Sequence, residues 1–308
     1  MSVTRTLPVD DLRTLLPDWR IHLRARNLAA GTVKTYLRDG EQLADFLAES
    51  GMPTDVTSIT REHVEQYLVA LQERPSRRGT PISAAYVNKQ YRSLQQLFRW
   101  LEDDGEITTN PMAKMRPPQV PEKPVPVITE DQVKALFAQC KGNSFENRRD
   151  TAIIQVLIDT GIRASELSGI ELEGVDFDSG TILVLGKGRR ERNVPFDDVT
   201  TDAVRRYLRA RRSHKHQGSP MLWLGSKGPL SANGIQQMID RRCQDAGLPH
   251  LNLHKFRHSF AHNWLAAGGS ETGLMRLAGW KSREMLQRYG ASEAHKRAIE
   301  EYKRLRKR

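Results

Sequence analysis

The sequence predicts a mainly α-helical protein with one small β-sheet, divided into two domains. Three observations carry that reading. Apolar residues recur with a period near 3.6 along most of the 308 residues, and strand-like patterning is confined to a cluster between 175 and 195. Residues 116–126 read RPPQVPEKPVP, and five prolines in eleven residues cannot sustain a helix or a central strand. The length suits about two domains, at roughly 100–200 residues each. The divisions are residues 8–115 for a helical first domain, 116–126 for an extended linker, and 127–308 for the second domain.

The first domain reads as four helices. Trp19, Ile21 and Leu23 lie in a segment that ends near Asn27. Gly31-Thr32 opens a second helix, where Val33, Tyr36, Leu37, Leu43 and Phe46 share a face. Thr60 caps a third helix with Val64, Tyr67, Leu68 and Leu71. After the polar loop ERPSRRGTP, Ser83 starts a fourth, carrying Val87, Tyr91, Leu94, Leu97, Phe98 and Leu101. In the second domain Thr129 is the expected N-cap of a helix reaching about Cys140, with Glu130 and Asp131 well placed in its first turn. Asp150 to Thr160 is an apolar helix stopped by Gly161. Val175–Phe177, Thr181–Leu185 and Arg192–Pro195 are strand-like, and Gly186–Arg190 turns the last two into a hairpin with a basic tip. Helices follow near 199–212, 232–246, 254–267, 271–279 and 282–289, and a basic one near 293–306.

Composition narrows the function. Hydrophobic residues are 38% and charged residues 28%, a globular balance. No apolar run of about 18 residues occurs, so no transmembrane helix is expected. The N-terminal stretch has no apolar core or small-residue cleavage site, which argues against a secretory signal. Cys140 and Cys243 stand far apart, outside any CxxC pattern, so neither a disulfide framework nor a zinc site is expected. A reducing cytoplasm is the expected location. Net charge is +11, which suggests a polyanionic partner, nucleic acid or acidic lipid. Its distribution is uneven: residues 1–115 hold 15 basic and 15 acidic side chains, and residues 116–308 hold 33 and 22.

Several residues could carry chemistry. Arg163 follows a glycine turn at an expected helix start, where backbone N–H groups and the helix dipole favour an anion. Alone it is more readily read as a surface arginine capping a loop. His254 and Arg257, three apart in LHKFRHSFAH, share a helix face and suit phosphate chemistry. In the same segment His254, His258 and His262 form a stripe that could bind a metal, but no Glu or Asp nearby completes the ligand set. Lys187 sits at the hairpin tip between glycines, where a solvated turn lysine is the plain alternative. Trp280 follows Gly279, and Tyr289 precedes Gly290; a helical tyrosine is ordinarily a packing residue.

Taken together in this order, Arg163, Lys187, His254, Arg257, Trp280 and Tyr289 resemble the tyrosine recombinase (phage integrase) family. The matching stretches are TGIRASEL, the GKG hairpin, LHKFRHSFAH and LAGWKSREMLQRYG. The resemblance covers nearly the whole chain. It implies a helical-bundle core-binding (SAM-like) domain followed by an α+β catalytic domain. One departure is Trp280, where many members carry His; a minority carry Trp. Indole offers one N–H donor but cannot shuttle a proton. With only about ten residues before the first helix, a simple two-domain member, Xer-like or Cre-like, is expected rather than one with an arm-binding domain.

The resemblance implies a mechanism. Arg163 and Arg257 would stabilise charge on the non-bridging oxygens of a phosphodiester, and Trp280 would add an N–H. Tyr289 would attack phosphorus, giving a 3′-phosphotyrosyl link and a free 5′-hydroxyl. His254 is the candidate base and Lys187 the candidate acid. Glu166, one turn after Arg163, would orient the site, or form an ordinary helix salt bridge. No cofactor and no metal is implied. The implied partners are double-stranded DNA with paired half-sites and further copies of the chain in a tetramer, with a second recombinase an open alternative and no membrane partner. Lys34, Arg38, Arg77, Arg78, Lys89 and Arg92 of the first domain are candidate DNA contacts. The tail from Ser292, with seven basic and three acidic residues, would dock on a neighbouring protomer or lie on DNA. Competing readings are a DNA-binding accessory protein with a silent site, a metal-dependent hydrolase using the histidine stripe, and a topoisomerase using the same phosphotyrosine.

Overall fold

Asp11 begins the first helix by accepting a hydrogen bond from the Arg13 N–H at 2.8 Å, and its other oxygen takes the Thr54 hydroxyl at 2.6 Å. This is seen in a computed structural model, which describes residues 10–76, 79–121, 126–186 and 190–280, together with Ser282, Leu286, Ile299, Tyr302, Lys303 and Arg306. The chain separates into two units, Met1–Lys123 and Pro124–Arg308.

The first unit is α1 (Leu12–Ala25), α2 (Ala30–Glu49), α3 (Arg61–Glu73) and α4 (Ala84–Asp103). Each presents one apolar stripe to a shared core that includes Trp19, Leu43, Leu47, Val64, Leu94 and Phe98. The α2 backbone approaches α1 closely at Gly40, where a Cβ would lie 2.8 Å from Leu16 Cδ2. Trp19 stacks with Tyr36 and Trp100 at centroid distances of 5.9 and 6.4 Å. Like Asp11, Asp39 on α2 is a buried acid: it accepts from Ser93 Oγ at 2.6 Å and pairs with Lys89 Nζ at 2.5 Å, both on α4. Beyond α4 the chain folds back, and Tyr91 Oη and Asn88 Nδ2 donate to the carbonyls of Met115 and Pro118, each at 2.7 Å. The first prolines of the linker are therefore held on this unit.

The second unit opens with α5 (Glu130–Ala138), where Thr129 and Gln132 cap each other reciprocally. Then come α6 (Phe145–Thr160), α7 (Ala164–Ser168), β1 (Val175–Asp176), β2 (Thr181–Leu185), β3 (Glu191–Pro195), α8 (Asp198–Arg211), β4 (Leu224–Gly225), β5 (Gly228–Pro229), α9 (Ala232–Asp245), α10 (Leu253–Ala266) and α11 (Glu271–Ala278). The sheet β1-β2-β3 is antiparallel, with Val184 opposite Arg192. The core gathers the apolar face of α6 with side chains from the sheet, α8, α9 and α10. A smaller cluster joins Ala261 and Leu265 on α10 to Leu274, Ala278, Trp280 and Leu286.

Two details differ from the sequence reading. α6 starts at Phe145 rather than Asp150, because Ser144 Oγ accepts the Asn147 N–H at 3.1 Å. The β4–β5 hairpin has strands of two residues, too short to show an alternation. The expected helices at 282–289 and 293–306 lie largely outside the described residues, as do Arg77, Arg78, Lys187 and Tyr289. Among the described residues no helix is long and apolar enough to cross a membrane.

Candidate active site

α6 ends at Gly161, whose φ of 56° is the left-handed conformation that closes a helix. A side chain is excluded there for a second reason: a Cβ would sit 2.5–2.8 Å from the ring and Cβ of Phe260 on α10. The turn that follows sets Arg163 as the N-cap of α7. The Arg163 backbone N–H donates to Glu166 Oε2 at 2.8 Å. What Arg163 presents outward is its side chain, 34% exposed.

Glu166 is nearly sealed from water, with a side chain 1% exposed. Arg163 Nη1 donates to its Oε1 at 2.7 Å. From β3, Arg192 forms a fork, with Nη1 on Oε1 and Nη2 on Oε2, both at 2.9 Å. Burial alone would push this carboxyl upward, but the hydrogen bonds and charge of Arg192 and the bonds from Arg163 outweigh it. The result is a pKa of about 2.

The end of α11 is where three arginines converge. Its last carbonyls have no partner within the helix and carry the negative end of the helix dipole. Leu277 O accepts Arg192 Nε at 2.9 Å, Ala278 O accepts Arg257 Nη2 at 2.5 Å, and Gly279 O accepts Arg163 Nη2 at 3.4 Å. Gly279, with φ 62°, stops the helix and leaves room for Arg192, whose guanidinium is 3.3 Å from where a Cβ would be. Arg257 is buried and also donates Nη1 to Gly161 O at 2.9 Å, so it ties α10 to the ends of both α6 and α11. Its guanidinium lies over the Trp280 ring, 5.4 Å from the centroid. Trp280 itself is buried.

Thus Arg163, Glu166, Arg257 and Trp280 meet around one helix terminus. His254 is exposed one turn before Arg257 on α10, its ring 6.4 Å from that of His258. Among the described residues no group of three His, Cys, Asp or Glu side chains has a metal-binding arrangement. The sequence reading missed Arg192. Its signal was present: Arg192 is in phase with buried Val194 along β3, so it points to the covered face of the sheet.

In the first unit Lys34, Arg38 and Arg92 are exposed. Lys89 is committed to Asp39, and Arg38 reaches the same carboxylate at 3.4 Å. Lys34 and Arg38 line a groove with Arg20 and Arg24 of α1, which were not singled out from sequence, and with Glu41 as its acid. The groove thus gathers four cations and one acid in a unit whose charge balances overall.

Residues 126–296 match the phage integrase family, and residues 15–106 match the phage integrase N-terminal SAM-like domain. A tyrosine recombinase XerC of Oceanobacillus iheyensis is 31% identical over 271 residues, 86% of each chain. A tyrosine recombinase XerD of Corynebacterium glutamicum is 30% identical over 288 residues, covering 90% of this chain and 93% of that one. Among solved structures, the Tn1549 transposon integrase in complex with a circular intermediate DNA has a TM-score of 0.75 at 20% identity, covering 96% of this chain and 99% of that chain. A lambda integrase tetramer bound to a Holliday junction has a TM-score of 0.67 at 17% identity, covering 92% and 83%. These last two likenesses are of fold.

Proposed function

Because the chain belongs to the phage integrase family, the tyrosine recombinases, we propose that it cleaves and rejoins DNA at specific sites through a covalent link to Tyr289. The observation that carries this reading is the convergence of Arg163 and Arg257 beside Trp280, two cations and an indole at one helix end. A phosphodiester repels nucleophiles, and these groups would neutralise its non-bridging oxygens as charge builds on phosphorus. Arg163 is the more exposed member and would meet the phosphate first. Arg257 is held by two carbonyls and would keep its orientation through the reaction.

The Tyr289 hydroxyl would attack phosphorus, transfer its proton to His254, and release the 5′-oxygen, which takes a proton from Lys187. The phosphotyrosine conserves the energy of the broken bond, so a second 5′-hydroxyl can reverse the step without a cofactor. Depending on the sites joined, the outcome is integration, excision or dimer resolution. The expected setting is the cytoplasm, with chromosomal or plasmid DNA as substrate. In the first unit the groove bearing Arg20, Arg24, Lys34 and Arg38 would hold DNA phosphates.

Strand exchange would require four protomers. An apolar cleft on the second unit, lined by Ile158, Phe260, Trp264 and Leu277, would receive the C-terminal helix of a neighbouring copy. Ile299 and Tyr302, three apart and exposed, supply an apolar pair on that helix. A Tyr302→Asp protein is expected to cleave a single site but to yield no exchanged product from paired sites; normal exchange would exclude this docking.

Covalent trapping tests the central claim. Nicked suicide duplexes bearing a site selected from a random library are incubated with protein and run on a denaturing gel. Wild type should give a protein–DNA adduct that persists in EDTA, and Tyr289→Phe should give none. Tight binding without an adduct would favour the accessory-protein reading, and strand cleavage without an adduct that stops in EDTA would favour a metal-dependent hydrolase.

A further inference from the structure

Resting on the reading above, we propose that Arg192 is a positioning residue of the active site, a clamp that fixes Glu166 and the end of α11 so that Arg163 meets the phosphate in one orientation. Arg192 engages three acceptors on two elements: both Glu166 oxygens and the Leu277 carbonyl. Glu166 in turn holds Arg163 twice, once at the backbone N–H and once at Nη1. Arg163 therefore has its base fixed through Glu166 and one edge at Gly279 O, two positions beyond the carbonyl that Arg192 holds. Because Arg192 lies on β3, the clamp also ties the hairpin that carries Lys187 to α7 and α11. The side chain is 15% exposed and its forked nitrogens face protein acceptors, so its role is to orient other groups rather than to touch DNA.

The clamp also keeps Glu166 ionised. Among the described residues, the charged groups on this carboxylate are Arg163 and Arg192. On the neighbouring α9, Asp240 and Arg242 are paired with His250 and Asp150. β2, also packed on α7, carries no charged side chain. Without Arg192, its hydrogen bonds and charge no longer oppose burial, only the Arg163 bonds remain to hold the carboxyl down, and it would protonate at higher pH.

The test uses full-length wild type, Arg192→Lys, Arg192→Gln and the double variant Glu166→Gln/Arg192→Gln, with adduct rates on the suicide duplex measured from pH 5 to 8. Arg192→Gln should slow cleavage roughly tenfold to a hundredfold, as expected when a catalytic group is misplaced, with DNA affinity unchanged. Its rate should fall further as pH drops, and that acid limb should vanish in the double variant. Arg192→Lys should lie between, since it restores the charge but not the fork. Wild-type rate and pH profile in Arg192→Gln would overturn the proposal; so would a slow, pH-independent variant that has simply lost thermal stability. Carbon-13 labelling of glutamate side chains gives a readout that needs no DNA: the Glu166 carboxyl should titrate at higher pH in Arg192→Gln than in wild type, and unchanged titration would exclude the clamp. If wild type gives no adduct, the recombinase reading fails, and this titration still decides the role of Arg192.

Discussion

The Glu166 carboxylate is held out of water between two guanidinium groups, and the arrangement depends on its negative charge. Its folded pKa of about 2 lies below the ordinary 4.5, so the interaction is fully present above about pH 4.5 and is lost as pH falls toward 2. The shift corresponds to a contribution on the order of 3 kcal/mol at neutral pH. Melting temperatures measured across that range should fall more steeply for wild type than for Glu166→Gln; parallel curves would mean the carboxylate contributes no such linkage. Residues of this kind were partly legible in the sequence. Arg163, Glu166, Arg257 and Trp280 stand in short motifs whose order carries meaning. Arg192 does not, because its partner is 26 positions away and their meeting depends on how the hairpin packs on α7.

At the scale of elements, helix termini and close crossings do most of the positioning. α6 and α11 both end in left-handed glycines, Gly161 and Gly279, and the carbonyls exposed there become the sockets for arginine side chains. The helices themselves were readable, since apolar periodicity and caps such as Thr129 and Ser83 mark them locally. The start of α6 was not, because its first turn, Phe145–Arg148, is mostly polar and only Ser144 announces it. Nor was the close crossing at Gly40, since a glycine within a helical pattern shows no partner until the fold brings Leu16 against it. Gly40→Ala improves helix propensity but drives a methyl to within 2.8 Å of the Leu16 side chain. Overpacking of this kind costs about 1–3 kcal/mol. Urea denaturation should show the variant destabilised, and a more stable variant would show that α1 and α2 have slack at this crossing.

For the whole molecule, the division of charge matters more than its total. Residues 1–115 are neutral overall, yet Arg20, Arg24, Lys34 and Arg38 lie along one groove and Asp39 is buried behind it. Composition cannot reveal such clustering, because it depends on which helix faces turn outward. If the groove holds phosphates, DNA affinity should decline linearly with the logarithm of salt. Replacing Arg20 and Lys34 together by Ala should make that slope shallower by about 2, one for each phosphate left without its cation. Filter binding over a range of salt reads this directly, and an unchanged slope would move the DNA-binding surface to another face.

Each unit closes its own apolar core, and five prolines stand at the join. A crossover in the gene at that join would leave both cores whole. The arginines of the second unit find their sockets within that unit, at Leu277, Ala278, Gly279 and Gly161, and so would the machinery in any hybrid that inherits it. The architecture therefore lets one half be exchanged while the other keeps its core and its arginine sockets.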